Sequence, residues 1–554
     1  LVGSEMCIRE SINMKTRYII SSALMALATV GCTDLDVDIK SVYTEYPTDS
    51  EIAIEARISN AYFAFRDAIG RRYDEGISCN SDEYTAVSFG GDYLNDRDMA
   101  NFSLHSVDQD ACKNQLNVYS EIQGGITKCN QILMDLGDEN VSVSAPVRAA
   151  RAFYTFLLMD NWGDTPIIDY RLLGADGIVD RSPRADVARW IETELLEVRD
   201  DCPTEVSSET YGTPTRWMVD ALLAKLYINW NVYTQDVTSA SWSSTATNEK
   251  LNDCVAACDD VIKSGLFDLS DDYKKKFMYD NGPHIKDFIY AMPFDAITQT
   301  GMTYARFRTW RQGQKDNGFY SVPLASSVGG NMALTPEYAE LFCLPGDRRN
   351  DVIAGDANAE TFDVYQYDAT TGEKTNVRNT YQGTPVVFTK KITLATQDGD
   401  LNTGKNLTGW VQGYKSIKFF PNVEEVNAHS RNQSNDIPIF RYADILLMKC
   451  EAIVRGASAT NGDTPQSLFN QIRSYVNAPT ISSTPSLQDI LDERGREFLD
   501  EHWRRNDLIR FGDFEREWGF KYLNPNANAL TNRLLPLSRD ILNVNTNWKQ
   551  NNGY

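Results

Sequence analysis

The sequence predicts a mainly α protein, a superhelix of paired helices with long loops and a few short β-strands. Three observations carry that expectation. Apolar residues recur at helical spacing from Glu51 to Lys263, helices are sparse from Leu266 to Asn435, and helical patterning returns between Ile437 and His502.

Ile54, Ile58, Ala61, Tyr62 and Phe65 form one such stripe, and Leu116, Tyr119, Ile122, Ile126 and Cys129 form the next. Ala149, Ala152, Phe153, Phe156 and Leu157 continue the pattern until Asn161-Trp162-Gly163-Asp164-Thr165-Pro166 breaks it. Thr213-Pro214 is expected to open another helix, Thr213 as cap and Pro214 in the first turn, with Ala221, Leu222, Ala224, Leu226 and Tyr227 on its packing face. Helix pairs of this length that mix Ala with aromatics look tetratricopeptide-like, although no strict repeat period is present. The middle carries strand-like runs at Asp287 to Pro293 and Val386 to Ile392, between loops rich in Gly, Asn, Asp and Tyr. Helices are expected again at Ile437 to Arg455, Thr464 to Val476 and Ser486 to His502, the last opening with Ser486 and Asp489 at capping-box spacing.

Lys15 and Arg17 lead into the apolar segment Tyr18 to Val30, then Gly31-Cys32 and the acidic residues Asp34, Asp36 and Asp38. A basic start, a short apolar stretch and a small residue before the cleavage point make an export signal, too short to span a bilayer of ~30 Å. Cys32 is the expected acceptor for a lipid anchor. Ala28-Thr29-Val30 offers an ordinary signal peptidase the alternative cut. The expected organisation is residues 1–13 upstream of the start at Met14, 14–31 the lipoprotein signal, 32–265 an N-terminal helical region, and 266–554 a loop-rich middle with C-terminal helices packed on the same body.

The chain holds 54 basic and 77 acidic residues, a net charge of −23. That balance repels phosphate backbones and anionic lipid heads, so no nucleic acid is expected and membrane contact runs through the anchor alone. Eight cysteines follow Cys32 at scattered spacing and only four histidines are present, which signals neither a disulfide scaffold nor a zinc site. No metal residues are assigned. A structural calcium is conceivable on the oxygens of Asp268 to Asp272, without the spacing of a dedicated loop.

The run Asp492, Glu493, Glu497, Asp500 and Glu501 invites a glycosidase reading, since a carboxyl pair is the minimum for acid and base work on a glycosidic bond. Arg494, Arg496, Arg504 and Arg505 lie among them, so the expectation is a salt-bridged helix face with one or two buried pairs. Arg441 and Asp444 are read the same way. No nucleophile elbow, His-Glu-x-x-His helix or phosphate-cradling loop occurs, and no catalytic residue or cofactor is assigned.

Four blocks give the chain a wider likeness. They are Arg148-Ala149-Ala150-Arg151-Ala152-Phe153-Tyr154 with Trp162-Gly163-Asp164-Thr165-Pro166; Arg441-Tyr442-Ala443-Asp444-Ile445-Leu446-Leu447-Met448 with Glu451-Ala452; Asp492-Glu493-Arg494 through Glu497, Trp503 and Asp507-Leu508-Ile509-Arg510; and Leu535-Pro536-Leu537-Ser538 through Asn551. As an ordered set they resemble the SusD/RagB family of outer-membrane nutrient-uptake lipoproteins. The resemblance implies a lipid-anchored protein at the cell surface, not an enzyme, that binds an oligosaccharide ligand and lids a SusC-like TonB-dependent transporter.

Sugar binding needs flat apolar faces beside amides, carboxylates or Arg. Asn80 to Phe102 and Gly301 to Tyr320 offer that mixture, at positions roughly where the family carries its ligand aromatics. Tyr84, Tyr93, Asn95, Tyr304, Arg308 and Trp310 are the expected ligand contacts, with Trp242 and Trp410 in reserve. The rival readings are a secreted helical glycoside hydrolase and a peptide-binding helical-repeat adaptor.

Overall fold

The computed structural model describes residues 51–89, 97–137, 140–168, 179–308, 324 and 330–554. Its main helices are α1 Glu51–Tyr62, α2 Tyr73–Cys79, α3 Val118–Leu136, α4 Val141–Trp162, α5 Arg184–Val198, α6 Arg216–Ile228 and α7 Leu251–Ser264. The short α8 Tyr304–Arg308 follows, then α9 Tyr442–Val454, α10 Pro465–Tyr475, α11 Leu487–Glu497 and α12 Arg504–Phe511. Residues Glu55–Tyr554 form one unit. Successive helices pack in pairs: α3 on α4, α4 on α5, α6 on α7, α7 on α9, and α9 on both α10 and α11.

The pairing follows from small residues set against rings. A Cβ at Gly125 of α3 would stand 2.8 Å from the Tyr154 ring of α4, so glycine is what lets the two helices close. Tyr154 then donates to Ala61 O at 2.6 Å, tying the end of α1 to the pair. α4 is buried from Ser144 to Trp162 except at Arg148 and stops at Gly163, φ 79°, as the Trp-Gly break predicts. Trp162 Nε1 donates to Pro536 O at 3.1 Å, which joins that break to the Leu-Pro block near the C-terminus.

Two expected helix starts move. α6 is capped by Thr215, whose hydroxyl accepts from Met218 N, while Thr213 donates to Thr210 O in the preceding turn. The apolar run Ile437–Arg441 is strand and not helix, because it pairs antiparallel with Phe288–Met292 and every residue of both is buried. A run buried on both faces has no amphipathic period to separate strand from helix. These strands are β2 (Phe288–Met292) and β4 (Ile437–Arg441); β1 (Tyr84–Ala86) and β3 (Met332–Leu334) form another antiparallel pair. Among the described residues strands associate only in twos.

α10 and α11 open with reciprocal capping boxes at Thr464/Ser467 and Ser486/Asp489. α11 ends at Glu497, before the expected His502, because Asp500 (φ 63°) and His502 (φ 57°) turn the chain left-handed.

Candidate functional site

β1 and β3 stitch together the roots of the two aromatic loops. Tyr84 stands opposite Leu334 and Ala86 opposite Met332, and Val87 N donates to Asn331 O at 2.8 Å. Residues 84–89 therefore enter the first loop beside the chain that leaves the second. α8 supplies the other root: Tyr304 and Arg308 lie one turn apart, and the Arg308 guanidinium sits 3.9 Å above the Tyr304 ring and 5.4 Å from that of Tyr84.

Asp500 closes the group. It accepts from Tyr84 OH at 2.7 Å, from Arg308 Nε at 2.5 Å and from Ser416 Oγ. Arg308 Nη2 also pairs with Asp74. Burial pushes the Tyr84 phenol well above its ordinary value, and the Asp500 charge pushes the same way. Glu83 is likewise raised well above the carboxylate range by burial and by Asp500 and Asp82, which favours its neutral form.

The structure thus brings Tyr84, Tyr304 and Arg308 together but encloses them, with exposures of 1 %, 1 % and 2 %. In the structure the Tyr84 hydroxyl and the Arg308 guanidinium are engaged by Asp74 and Asp500, and the guanidinium lies over the Tyr304 ring. Tyr93, Asn95 and Trp310 lie outside the described residues. Trp242 is buried under Arg533, and Trp410 is half-buried against the cluster that holds Val87 and Phe89. Asp74 and Ser416 escaped sequence reasoning, and Asp500 stood out only as part of a carboxylate run, because the three come from distant segments with no local motif to join them.

The carboxylates of α11 and the turn after it form a much larger buried ionic lattice than the one or two pairs expected. Glu497 and Glu501 receive Arg441 at 2.8 and 2.7 Å, Glu493 receives Arg349, Arg473 and Arg496, and Arg494 reaches Asp444 and Asp507. Arg441 does not pair with Asp444, which is held by Lys225 and Arg494. Despite burial, three arginines hold the Glu493 carboxyl down at about 2. Ionised, enclosed and bonded, these groups hold helices together. At 268–272 the carboxylates are also engaged: Asp268 accepts Ser270 N, Asp271 accepts Lys286 N, and Asp272 pairs with Arg348. Among the described residues no group of three or more His, Cys, Asp or Glu side chains is arranged to hold a metal ion.

Paired helices, two-strand clips and long loops define a helical-repeat scaffold of the SusD-superfamily fold. It is similar to a SusD superfamily protein from Parabacteroides distasonis, with a TM-score of 0.63 and 20 % identity over 91 % of this chain and 99 % of that one. A laminarin-binding SusD-like protein gives a TM-score of 0.66 at 20 % identity, over 91 % of this chain and all of the other. The starch-binding protein SusD of Bacteroides thetaiotaomicron is 24 % identical over 445 residues, 75 % of this chain and 73 % of its own. Residues 286–554 match the sequence model of the SusD family.

Proposed function

We propose that this protein captures an oligosaccharide at the cell surface, without turning it over, and passes it to a SusC-like TonB-dependent transporter. The observation that carries the reading is the buried clamp at the shared root of two aromatic-bearing loops, in a fold whose relatives are named for binding starch and laminarin. Tyr93, Asn95 and Trp310 are the proposed ligand contacts, and Tyr84, Tyr304 and Arg308 fix the described ends of the two chain segments that carry them. Stacking a pyranose on an aromatic ring contributes affinity, a few polar groups contribute orientation, and modest total affinity permits release. Anchoring at the outer membrane would run through a lipid on Cys32; no helix of the described residues is long and apolar enough to cross a membrane.

Calorimetry and affinity electrophoresis with starch and laminarin test capture. Trp310→Ala is expected to weaken binding about tenfold, the order of one lost stacking contact; unaltered retardation would reject the site. Palmitate labelling lost in Cys32→Ala, and co-purification with a barrel transporter, test anchoring and delivery.

A further inference from the structure

Among the described residues Tyr522 is the one Phe, Tyr or Trp side chain that stands exposed, at 58 %. A single exposed apolar side chain is ordinary on a protein surface. This one is fixed in place. Its hydroxyl donates to Gln397 Oε1 at 2.7 Å across 125 residues of sequence. Phe520, buried, packs beside it with ring centroids 6.3 Å apart. Between them Lys521 is buried, donating to Phe514 O at 3.0 Å and Arg516 O at 2.8 Å while standing 3.6 Å over the Trp518 ring. The turn is therefore locked on both sides of Tyr522, and a ring held this way loses little freedom when a ligand covers it.

The neighbourhood is polar. Gln397, Asp398 and Asn526 are exposed, and Tyr522 is the sole exposed large hydrophobic residue in 393–405 and 513–530. An isolated flat ring with amides and a carboxylate around it matches the CH face and hydroxyl rim of a sugar better than the apolar core of a protein interface. Gln397 accepts from the phenol, which leaves its amide nitrogen to donate elsewhere.

The position is also continuous with the loop root described above. Ser88 N donates to Leu401 O at 3.0 Å and Thr403 N returns to Ser88 O at 2.9 Å, so the polar loop bearing Gln397 is strapped to the chain that enters the first aromatic loop. Phe520 shares one small cluster with Val87, Phe89, Leu394 and Leu401.

We infer that Tyr522 and Gln397 form a second sugar-stacking position, so that the ligand is an extended oligosaccharide gripped at more than one residue. The inference rests on the capture reading and adds ligand length to it. The test is calorimetry with malto- and laminari-oligosaccharide ladders from the disaccharide upward, on wild type, Tyr522→Ala and Tyr522→Phe. Tyr522→Ala is expected to weaken the longest members roughly fivefold to tenfold and to leave the disaccharide unchanged, with Tyr522→Phe in between. Equal affinity of wild type and Tyr522→Ala along the whole ladder overturns this inference and leaves capture standing, and so does an equal loss at every length. Unchanged sugar binding with reduced barrel co-purification overturns it in favour of a protein contact. A wild type that binds no member overturns both readings.

Discussion

Asp436 shows how one side chain sets a pH response. It lies at 5 % exposure just before β4, accepts Phe294 N at 2.7 Å, and has Tyr211 and Arg66 nearby. Burial outweighs these neighbours and pushes the carboxyl up to about 7. Because the folded value exceeds the unfolded one, the proton is held more tightly in the folded state. The stabilisation is complete below pH ~4 and is lost as pH rises through ~7. Asp436→Asn keeps an acceptor for Phe294 N and removes the titration. Urea unfolding should therefore show the wild type losing stability between pH 5 and pH 8 relative to the variant, by at most ~3 kcal/mol. Parallel curves for the two proteins would contradict a proton held on Asp436.

At the scale of elements, helix boundaries were legible where a side chain names them. Ser486/Asp489 and Thr464 write their caps in three or four residues, and Gly163 ends α4 where Trp-Gly-Asp says it must. The root of the candidate site was half legible: the aromatics of residues 84 and 304–308 stood out, but their enclosure depends on Asp74 and Asp500, which no local pattern connects to them. The α11 lattice was misread for the same reason. Spacing along one helix finds the pair of Arg496 with Glu493, whereas Arg349 reaches Glu493 from 144 residues away at 2.7 Å. The lattice makes a sharp contrast on a single helix. Glu493→Gln leaves Arg349, Arg473 and Arg496 around a neutral amide in a buried site, and a broken buried ion pair costs about 3–5 kcal/mol. Asp492→Asn, one residue away and half-exposed, keeps an acceptor for Gln488 Nε2 and should fall within ~0.5 kcal/mol of wild type. Denaturant midpoints of the two variants measure the difference, and similar midpoints would mean that the lattice is structurally idle.

Across the whole molecule the same lattice joins elements far apart in sequence. Lys225 of α6 meets Asp444 of α9, Arg494 of α11 bridges Asp444 to Asp507 of α12, and Arg510 of α12 returns to Glu451 of α9. Burial opposes the charge on Asp287 and Asp507, yet Lys276 and Arg441 hold Asp287 down at about 2, and Arg494 and Arg510 hold Asp507 lower than an ordinary Asp. His502 shifts in the compatible direction, lowered to about 3 by burial with Lys225 and Arg308 adding repulsion. For all these groups the unfolded chain binds protons that the folded one refuses. The carboxylate contribution is whole above pH ~4 and is lost as pH falls through ~2, while that of His502 is whole above ~6.5 and is lost towards ~3. The carboxylates fall in two ion-pair networks, one through Arg441 and Glu497 and one through Arg494 and Asp507, and both are anchored on α11, so their protonation loosens the same helices and the loss should be cooperative. Far-UV circular dichroism across an acid titration is expected to show full helix content at pH 5 and a single steep transition below pH ~4. Buried charges are little screened, so raising the salt from ~0.1 M to ~1 M should move that midpoint only slightly. A gradual decline beginning near neutrality, or a midpoint displaced by salt as an exposed ion pair would be, would show that the stability of the fold does not reside in its buried charge.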